Sequence, residues 1–294
     1  MRRVLVTGAN KGIGFAIAKG ILTEHDDTWV LLGSRDRERG EAAIRTLTSA
    51  QPAFAERVRL LLLDAGSDES VAGAASSARS MLGASGSFYA VVNNAGIGAG
   101  KQTLEAVLNV NTVGVRRVCE AFLPLIDTEH GRIVNVTSAA GPSFVAKCSD
   151  ERRGFLVDGN SEWTDLEAFM RECVALQGDA SAFEKRGLGD GNAYGLSKAC
   201  ANTYTLQLAR RYPNLWINAC TPGFIETDMT RGYAESQSKT PRELGMKTPE
   251  DGARSPLHLL FAELEGNGRY YGSDCKRSPL DRYREPGSPP YTGD

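Results

Sequence analysis

Short apolar runs alternate with helix-patterned segments along most of this chain, and that alternation constrains the fold more than any single motif. RVLVTG, TWVLLGSR, RVRLLLLDAG, FYAVVNNAG, GRIVNVTSAAG, WINACTPGF and GRYYGSD read as strands. Most are continuously apolar, the pattern of strands buried on both faces. Between them, GIGFAIAKGILTEH, RERGEAAIRTLTSAQ, SDESVAGAASSARSML (with Ser67 as its cap), TLEAVLNVNTVGVRRVCEAFLPLI, AYGLSKACANTYTLQLARRY and GARSPLHLLFAEL read as helices. Strands separated by helices predict a parallel sheet covered on both faces, an α/β, doubly wound arrangement of the Rossmann type. Such sheets bind ligands beyond the carboxyl ends of their strands.

Two regions break the rhythm. Residues 142–192 contain no strand, and SEWTDLEAFMRECVALQG within them is expected to form a helix. The tail, 278–294, is rich in Pro and Gly and is expected to be irregular. The reading is therefore one domain over 1–277 with a helical insertion at about 142–192, followed by the tail.

The net charge of −2 gives no electrostatic reason to expect nucleic acid or an anionic membrane surface. No apolar run approaches a membrane span. The opening MRRVLVTG is too short in its apolar part for a signal-peptide core and reads as the first strand. None of the six cysteines forms a CxxC pair, so free thiols and a cytoplasmic location are expected. The three histidines lie far apart, and no metal is expected.

TGANKGIG follows the first strand at once and places Gly8, Gly12 and Gly14 in a GxxxGxG pattern. Glycines permit a tight turn and close approach to a pyrophosphate, and the next helix offers its N-terminus to negative charge. A ligand-free tight turn has the same glycines; the strand–turn–helix setting favours a dinucleotide. The second strand ends in Ser34 and Arg35 where an NAD site usually carries an acid. Lys11, Arg35 and Arg39 can converge on a 2′-phosphate, which favours NADP(H); a solvated basic surface is the alternative, and Asp36 remains able to take a ribose hydroxyl.

In NAYGLSKAC, Tyr194 and Lys198 are four apart and share a helix face. Alone, this is as readily a surface pair as a catalytic one. The ordered set TGANKGIG, NNAG at 93–96, Asn111 in NVNTVG, Ser138 in VNVTS, YGLSK at 194–198 and NACTPGFIETDM changes that. The chain resembles the short-chain dehydrogenase/reductase family over roughly residues 3–275, the insertion apart. Within it, the Asn-Lys-Gly-Ile-Gly turn, the Arg-Asp after the second strand and KTPEDGARSP are similar to the monomeric carbonyl reductases. The 56 positions between Ser138 and Tyr194 match the long insertion those reductases carry there. Plant reductases of terpenoid and alkaloid ketones share it, so the resemblance leaves the substrate open.

The resemblance implies that Tyr194 donates a proton to a carbonyl oxygen, that Ser138 hydrogen-bonds the same oxygen, and that Lys198 lowers the phenol's pKa and binds the nicotinamide ribose. Asn111 would hold a water in the proton relay, or simply bend its helix. Gly8, Asn10, Lys11, Gly12, Ile13 and Gly14 would form the phosphate turn. Asp64 and Ala65 would meet the adenine. Asn93, Ala95 and Gly96 would pack along the adenine ribose, with a purely structural role open for Asn93. Pro222, Gly223, Ile225 and Thr227 would bracket the carboxamide and pyrophosphate. Glu226 departs from the basic residue common in the relatives. Residues 230–246, with Tyr233, look like a lid; Ala139, Ala140, Gly141 and Phe144 are candidates for one pocket wall, small residues there being equally suited to packing.

The expected function is NADPH-dependent reduction of an aldehyde, ketone or quinone by a monomeric enzyme. The alternatives are NADP-dependent oxidation of a secondary-metabolite alcohol by the same residues, and a non-catalytic NADP sensor.

Overall fold

In the computed structural model, which describes residues 1–83, 86–98, 100 and 102–293, the first strand lies inside a seven-stranded parallel sheet of order β3-β2-β1-β4-β5-β6-β7, next to its central strand. The strands are β1 (Arg2–Val6), β2 (Thr28–Ser34), β3 (Val58–Leu62), β4 (Ala90–Asn93), β5 (Arg132–Val136), β6 (Trp216–Cys220) and β7 (Tyr270–Tyr271). All seven fall within the runs read as strands. The order reverses between β1 and β4, so a crevice opens at their carboxyl ends, where the glycine turn lies.

Successive residues of one strand serve opposite faces of the sheet. Leu5, Leu31, Val91, Ile133 and Ile217 point to one apolar layer. Val4, Val6, Val30, Leu32, Val92 and Val134 point to the other. All are fully or almost fully buried, each contributing roughly 1.5–3 kcal/mol of transfer free energy.

The helices are α1 (Gly12–Glu24), α2 (Arg37–Ala50), α3 (Asp68–Leu82), α4 (Leu104–Leu108), α5 (Gly114–Phe122), α6 (Ala140–Val145), α7 (Asp150–Val157), α8 (Trp163–Ala175), α9 (Ala180–Lys185), α10 (Ala193–Arg211), α11 (Asp228–Ser236) and α12 (Pro249–Phe261). Ser67 caps α3 by accepting from Ser70 N. Asp36 caps α2 by accepting from Arg39 N, which occupies the carboxylate considered for a ribose hydroxyl. One π-helical turn, Asn109–Val113, joins α4 to α5 where a continuous helix was expected.

The stretch 142–192 is mostly helical, and α8 packs against α10 and α4; its Trp163 meets Tyr204 of α10 edge-on at 5.6 Å and lies under Arg116 of α5 at 4.5 Å. All six cysteines are free, and no helix among the described residues is long and apolar enough to cross a membrane. The tail is irregular in backbone but pinned: Arg284 pairs with Asp274, both largely buried, and Gly287 N donates to Asp274 Oδ2 at 3.0 Å. Its last residue, 294, lies outside the described residues.

The turns after β1 and β4 are stitched together. Thr7 Oγ1 accepts from the backbone N–H of Asn94 and of Ala95, each at 3.0 Å, while Asn94 Nδ2 donates to Thr7 O at 2.9 Å. Gly8, at φ +63°, lies so close to Ala95 that a Cβ would come within 3.0 Å of its Cα. A Cβ on Gly14 would meet Asn94 Nδ2 and Gly8 O at 2.4 Å. Gly14→Ala should therefore lower stability by about 1–3 kcal/mol, read as a lower midpoint in chemical unfolding with an unchanged denaturant slope.

Candidate active site

The nucleotide side of the crevice is built from the end of β1. Helix α1 starts at Gly12 with no side-chain cap and no acid in its first turn, leaving its N–H groups and positive dipole end facing the turn. Asn10, Lys11 and Arg39 line a cavity of about 570 Å³ there. Arg35 is not among the residues that line this cavity. It is exposed, and the chain turns sharply just before it, with Ser34 Oγ donating to Asp36 O at 2.7 Å. Asp228, missed in the sequence, lies in the same cavity and pairs with Lys11 at 2.6 Å. No sequence signal joins residues 217 positions apart. Both side chains are more than half exposed, so the pair is worth only about 0.2–1 kcal/mol and yields to a stronger anion.

The loop after β6 closes over this turn. Thr227 stands beside Gly12, its methyl 3.5 Å from where a Cβ would be. Ile225 is buried with Ile13 against Gly252, and Pro222 is buried behind them. Gly223, at φ +92°, packs on Ser273. Asp64 Oδ1 accepts from Gly66 N at 2.9 Å, forming a turn, and Ala65 O accepts from Arg117 at 2.7 Å.

The catalytic candidates assemble on β5, the π-helical turn and α10. Lys198 is only 5% exposed; its Nζ donates to Val136 O at 3.3 Å and lies 5.6 Å from the Tyr194 ring centroid. Burial pulls its pKa down from 10.5 to about 8. Enclosure by protein raises the Tyr194 pKa, and the nearby Ser138 hydroxyl pulls it partway back. The sequence expectation was the reverse, a phenol acidified by Lys198. Here burial of the phenol is the larger effect, set against the Ser138 hydroxyl. Ser138, half-buried at the end of β5, accepts from Ala140 N at 3.2 Å.

Asn111 sits in the π-helical turn with both ends of its amide engaged. Its Oδ1 accepts from Ile97 N, and its Nδ2 donates to Ile97 O and Ser197 Oγ. The side chain thus fixes the bend and ties it to α10. Gly96 is the close approach here: a Cβ would lie 3.2 Å from Asn111 Oδ1 and 3.5 Å from Lys198 Nζ. Asn93 does not face the crevice. It donates to Asn135 Oδ1 at 2.9 Å, and Asn135 donates to Thr205 Oγ1 at 2.8 Å, a polar chain from β4 through β5 to α10.

A second cleft, of about 320 Å³, opens at Ser138. Ala139 lines it. Gly141 and Phe144 do not; both are buried beneath α10, where a Cβ on Gly141 would reach Ala199 N at 3.1 Å and Phe144 covers Gly195. Ala140 is half-buried with its carbonyl against Gly195. Short residues here serve close packing of α6 on α10. Across the cleft, the excursion 227–246 carries α11, with Tyr233 exposed and edge-on to Phe224 at 6.2 Å. Its base is closed by Glu226 N donating to Lys247 O and Lys247 N to Phe224 O.

Lys198 also sets a stability prediction. Its folded pKa of about 8 lies below the ordinary 10.5, so below about pH 8 the fold carries a buried charge, and stability rises as pH climbs from 8 to 10.5. Lys198→Met should stabilise the protein at pH 7 by up to roughly 3 kcal/mol while abolishing activity. Urea melts at pH 7 and pH 10 check it: the gain should shrink at the higher pH.

The sequence pattern of the short chain dehydrogenase family matches residues 2–149. The chain is 32% identical over 276 residues to carbonyl reductase (NADPH) 3 of Rattus norvegicus, and 30% identical over 287 residues to (+)-neomenthol dehydrogenase of Arabidopsis thaliana. Each alignment covers 88% of this chain and 91% of the relative. The structure superposes on salutaridine reductase from Papaver somniferum with a TM-score of 0.75 at 26% identity, covering 92% of this chain and 99% of that one. With the ordered motifs brought to the carboxyl ends of a doubly wound sheet, the chain belongs to the short-chain dehydrogenase/reductase family of oxidoreductases.

Proposed function

We propose that this protein reduces an aldehyde, ketone or quinone carbonyl to an alcohol at the expense of NADPH. The observation that carries the reading is a tyrosine beside a serine hydroxyl, with a buried lysine one helical turn along and an open cleft at the serine.

NADP(H) fits the residues present. The uncapped N-terminus of α1 suits a pyrophosphate. Lys11 and Arg39 offer charge to a 2′-phosphate, with Asp228 displaced from Lys11. Gly8, Asn10, Gly12, Ile13 and Gly14 would form the floor, Asp64 and Ala65 the adenine end, Ala95 and Gly96 the middle, and Pro222, Gly223, Ile225 and Thr227 the cover. The cofactor supplies a hydride, two electrons with one proton, to the carbonyl carbon. Negative charge then grows on the carbonyl oxygen, and Ser138 steadies it with a hydrogen bond. Tyr194 completes the reaction by transferring its proton to that oxygen. Its raised pKa keeps this proton in place at neutral pH, as a general acid requires. Lys198 holds positive charge near the transient phenolate and favours its return through water at the bend around Asn111.

The relatives named for carbonyl reduction and for neomenthol oxidation share this chemistry in opposite directions. A cationic 2′-phosphate site favours the reductive one, since cells hold NADP largely reduced. We take the protein to be a monomer in the cytoplasm, with α8 occupying the outer faces of α4 and α10; a stable tetramer in light scattering would overturn that part.

Loss of reduced-nicotinamide absorbance against quinones, aldehydes and ketones is the direct assay. Tyr194→Phe should cut kcat by about 10²–10⁴ with little change in NADPH binding. Lys11→Ala should raise the KM for NADPH about tenfold and leave that for NADH nearly unchanged. Equal wild-type rates with both cofactors would sink the NADP assignment.

A further inference from the structure

The far wall of the cleft at Ser138 is made by Lys247, β7 and the carboxyl-terminal tail. Tyr270, Lys247, Arg282, Tyr283 and Arg284 all line it. Three of the lining residues are cations, and none is an acid. Arg284 is neutralised by Asp274, and this pair is the tail's anchor: Arg284 Nε also donates to Ser278 Oγ at 2.8 Å and its Nη1 to Ser288 O at 2.8 Å. Gly272 makes room, since a Cβ there would meet Asp274 Oδ1 at 2.7 Å and Arg284 Nη2 at 2.8 Å. Among the described residues, Arg282 is held by its half-buried neighbour Asp281, at 2.9 Å, and by stacking over Tyr291. No carboxylate among the described residues lies within ion-pair distance of Lys247.

Tyr270 supplies a second, independent observation. The residue is 4% exposed, and its buried hydroxyl stands beside Thr221 without a well-formed hydrogen bond among the described residues. A buried hydroxyl left unpaired is costly, and such groups call for an occupant. It stands in the same cleft as Ser138.

Building on the carbonyl-reductase reading, we propose that this wall selects carbonyl compounds bearing a carboxylate at the end remote from the reacting carbon. Lys247 and Arg282 would take the anion, and the Tyr270 hydroxyl would donate to an acceptor on the substrate body. The tail is then a specificity element, held in place by Arg284 and Asp274.

The test uses the full chain with NADPH and two probes of similar shape, 4-acetylbenzoate and 4′-methylacetophenone. The expected result is a higher kcat/KM for the carboxylate. In Lys247→Gln/Arg282→Gln the ratio of kcat/KM for the anionic over the neutral probe should fall about tenfold, through KM. High salt should narrow the wild-type ratio, because these are exposed charges. Tyr270→Phe should raise KM for both probes and leave the NADPH KM unchanged. A wild-type preference for the neutral ketone, or a ratio unmoved by the double variant, would overturn the proposal. Calorimetric titration of 4-acetylbenzoate into the NADP⁺-loaded protein separates the two readings. If no carbonyl turns over, carboxylate binding weakened in the double variant retains the wall and sinks the reductase; no carboxylate binding by the wild type sinks the wall.

Discussion

The site depends on one constraint, the burial of α10 on nearly every side. From Gly195 to Ala209 almost every residue of this helix is buried, although its sequence is made of small and polar side chains. A helix enclosed this way is normally apolar all round. This one is held by pairing most of its polar groups instead, Asn202 Oδ1 and Gln207 Oε1 being left without a partner among the described residues. Ser197 donates to Tyr194 O and accepts from Asn111. Thr203 donates to Leu156 O, Thr205 accepts from Asn135, and Gln207 donates to Ser161 and Glu162. Enclosure is what brings Lys198 down to about 8 and keeps the Tyr194 proton on. The chemistry and the packing are one arrangement.

That arrangement explains where small residues fall. Gly141 and Gly195 let α6 press against α10 without a side chain between them. The pressure places Ser138, two residues before α6, beside Tyr194. Small residues next to a strand end suggested a roomy pocket in the sequence. Gly141 and Phe144 take the packing role that the sequence left open, while Ala139 does line the cleft.

The fold was legible because its signals are local and repeated. Seven apolar runs became seven strands, and the glycine turn fell at the point where strand order reverses. The catalytic set was legible through motif order, not through the Tyr194–Lys198 spacing, which a surface helix shares. What escaped was non-local or depended on environment. Lys11 meets Asp228 across 217 positions. Asn93 turned out to bind Asn135 rather than face the nucleotide, a choice between two sides of one strand that composition does not decide. The direction of the Tyr194 shift followed from burial, which a sequence reports only through the fold.

The tail shows the same limit from the other side. Its Pro and Gly content correctly announced irregular backbone, yet irregular is not the same as loose. A chain segment without ladder hydrogen bonds can be fixed by a few strong side-chain contacts, and a largely buried, multiply bonded arginine is one of the strongest. Arg284 gathers Asp274, Ser278 and Ser288 around itself, so the segment between them is fixed beside the cleft. Catalytic residues sit on elements whose burial forbids change, whereas this wall rests on one anchor and an exposed surface. It is therefore the part of the site where substitutions alter what is bound without disturbing how the proton moves.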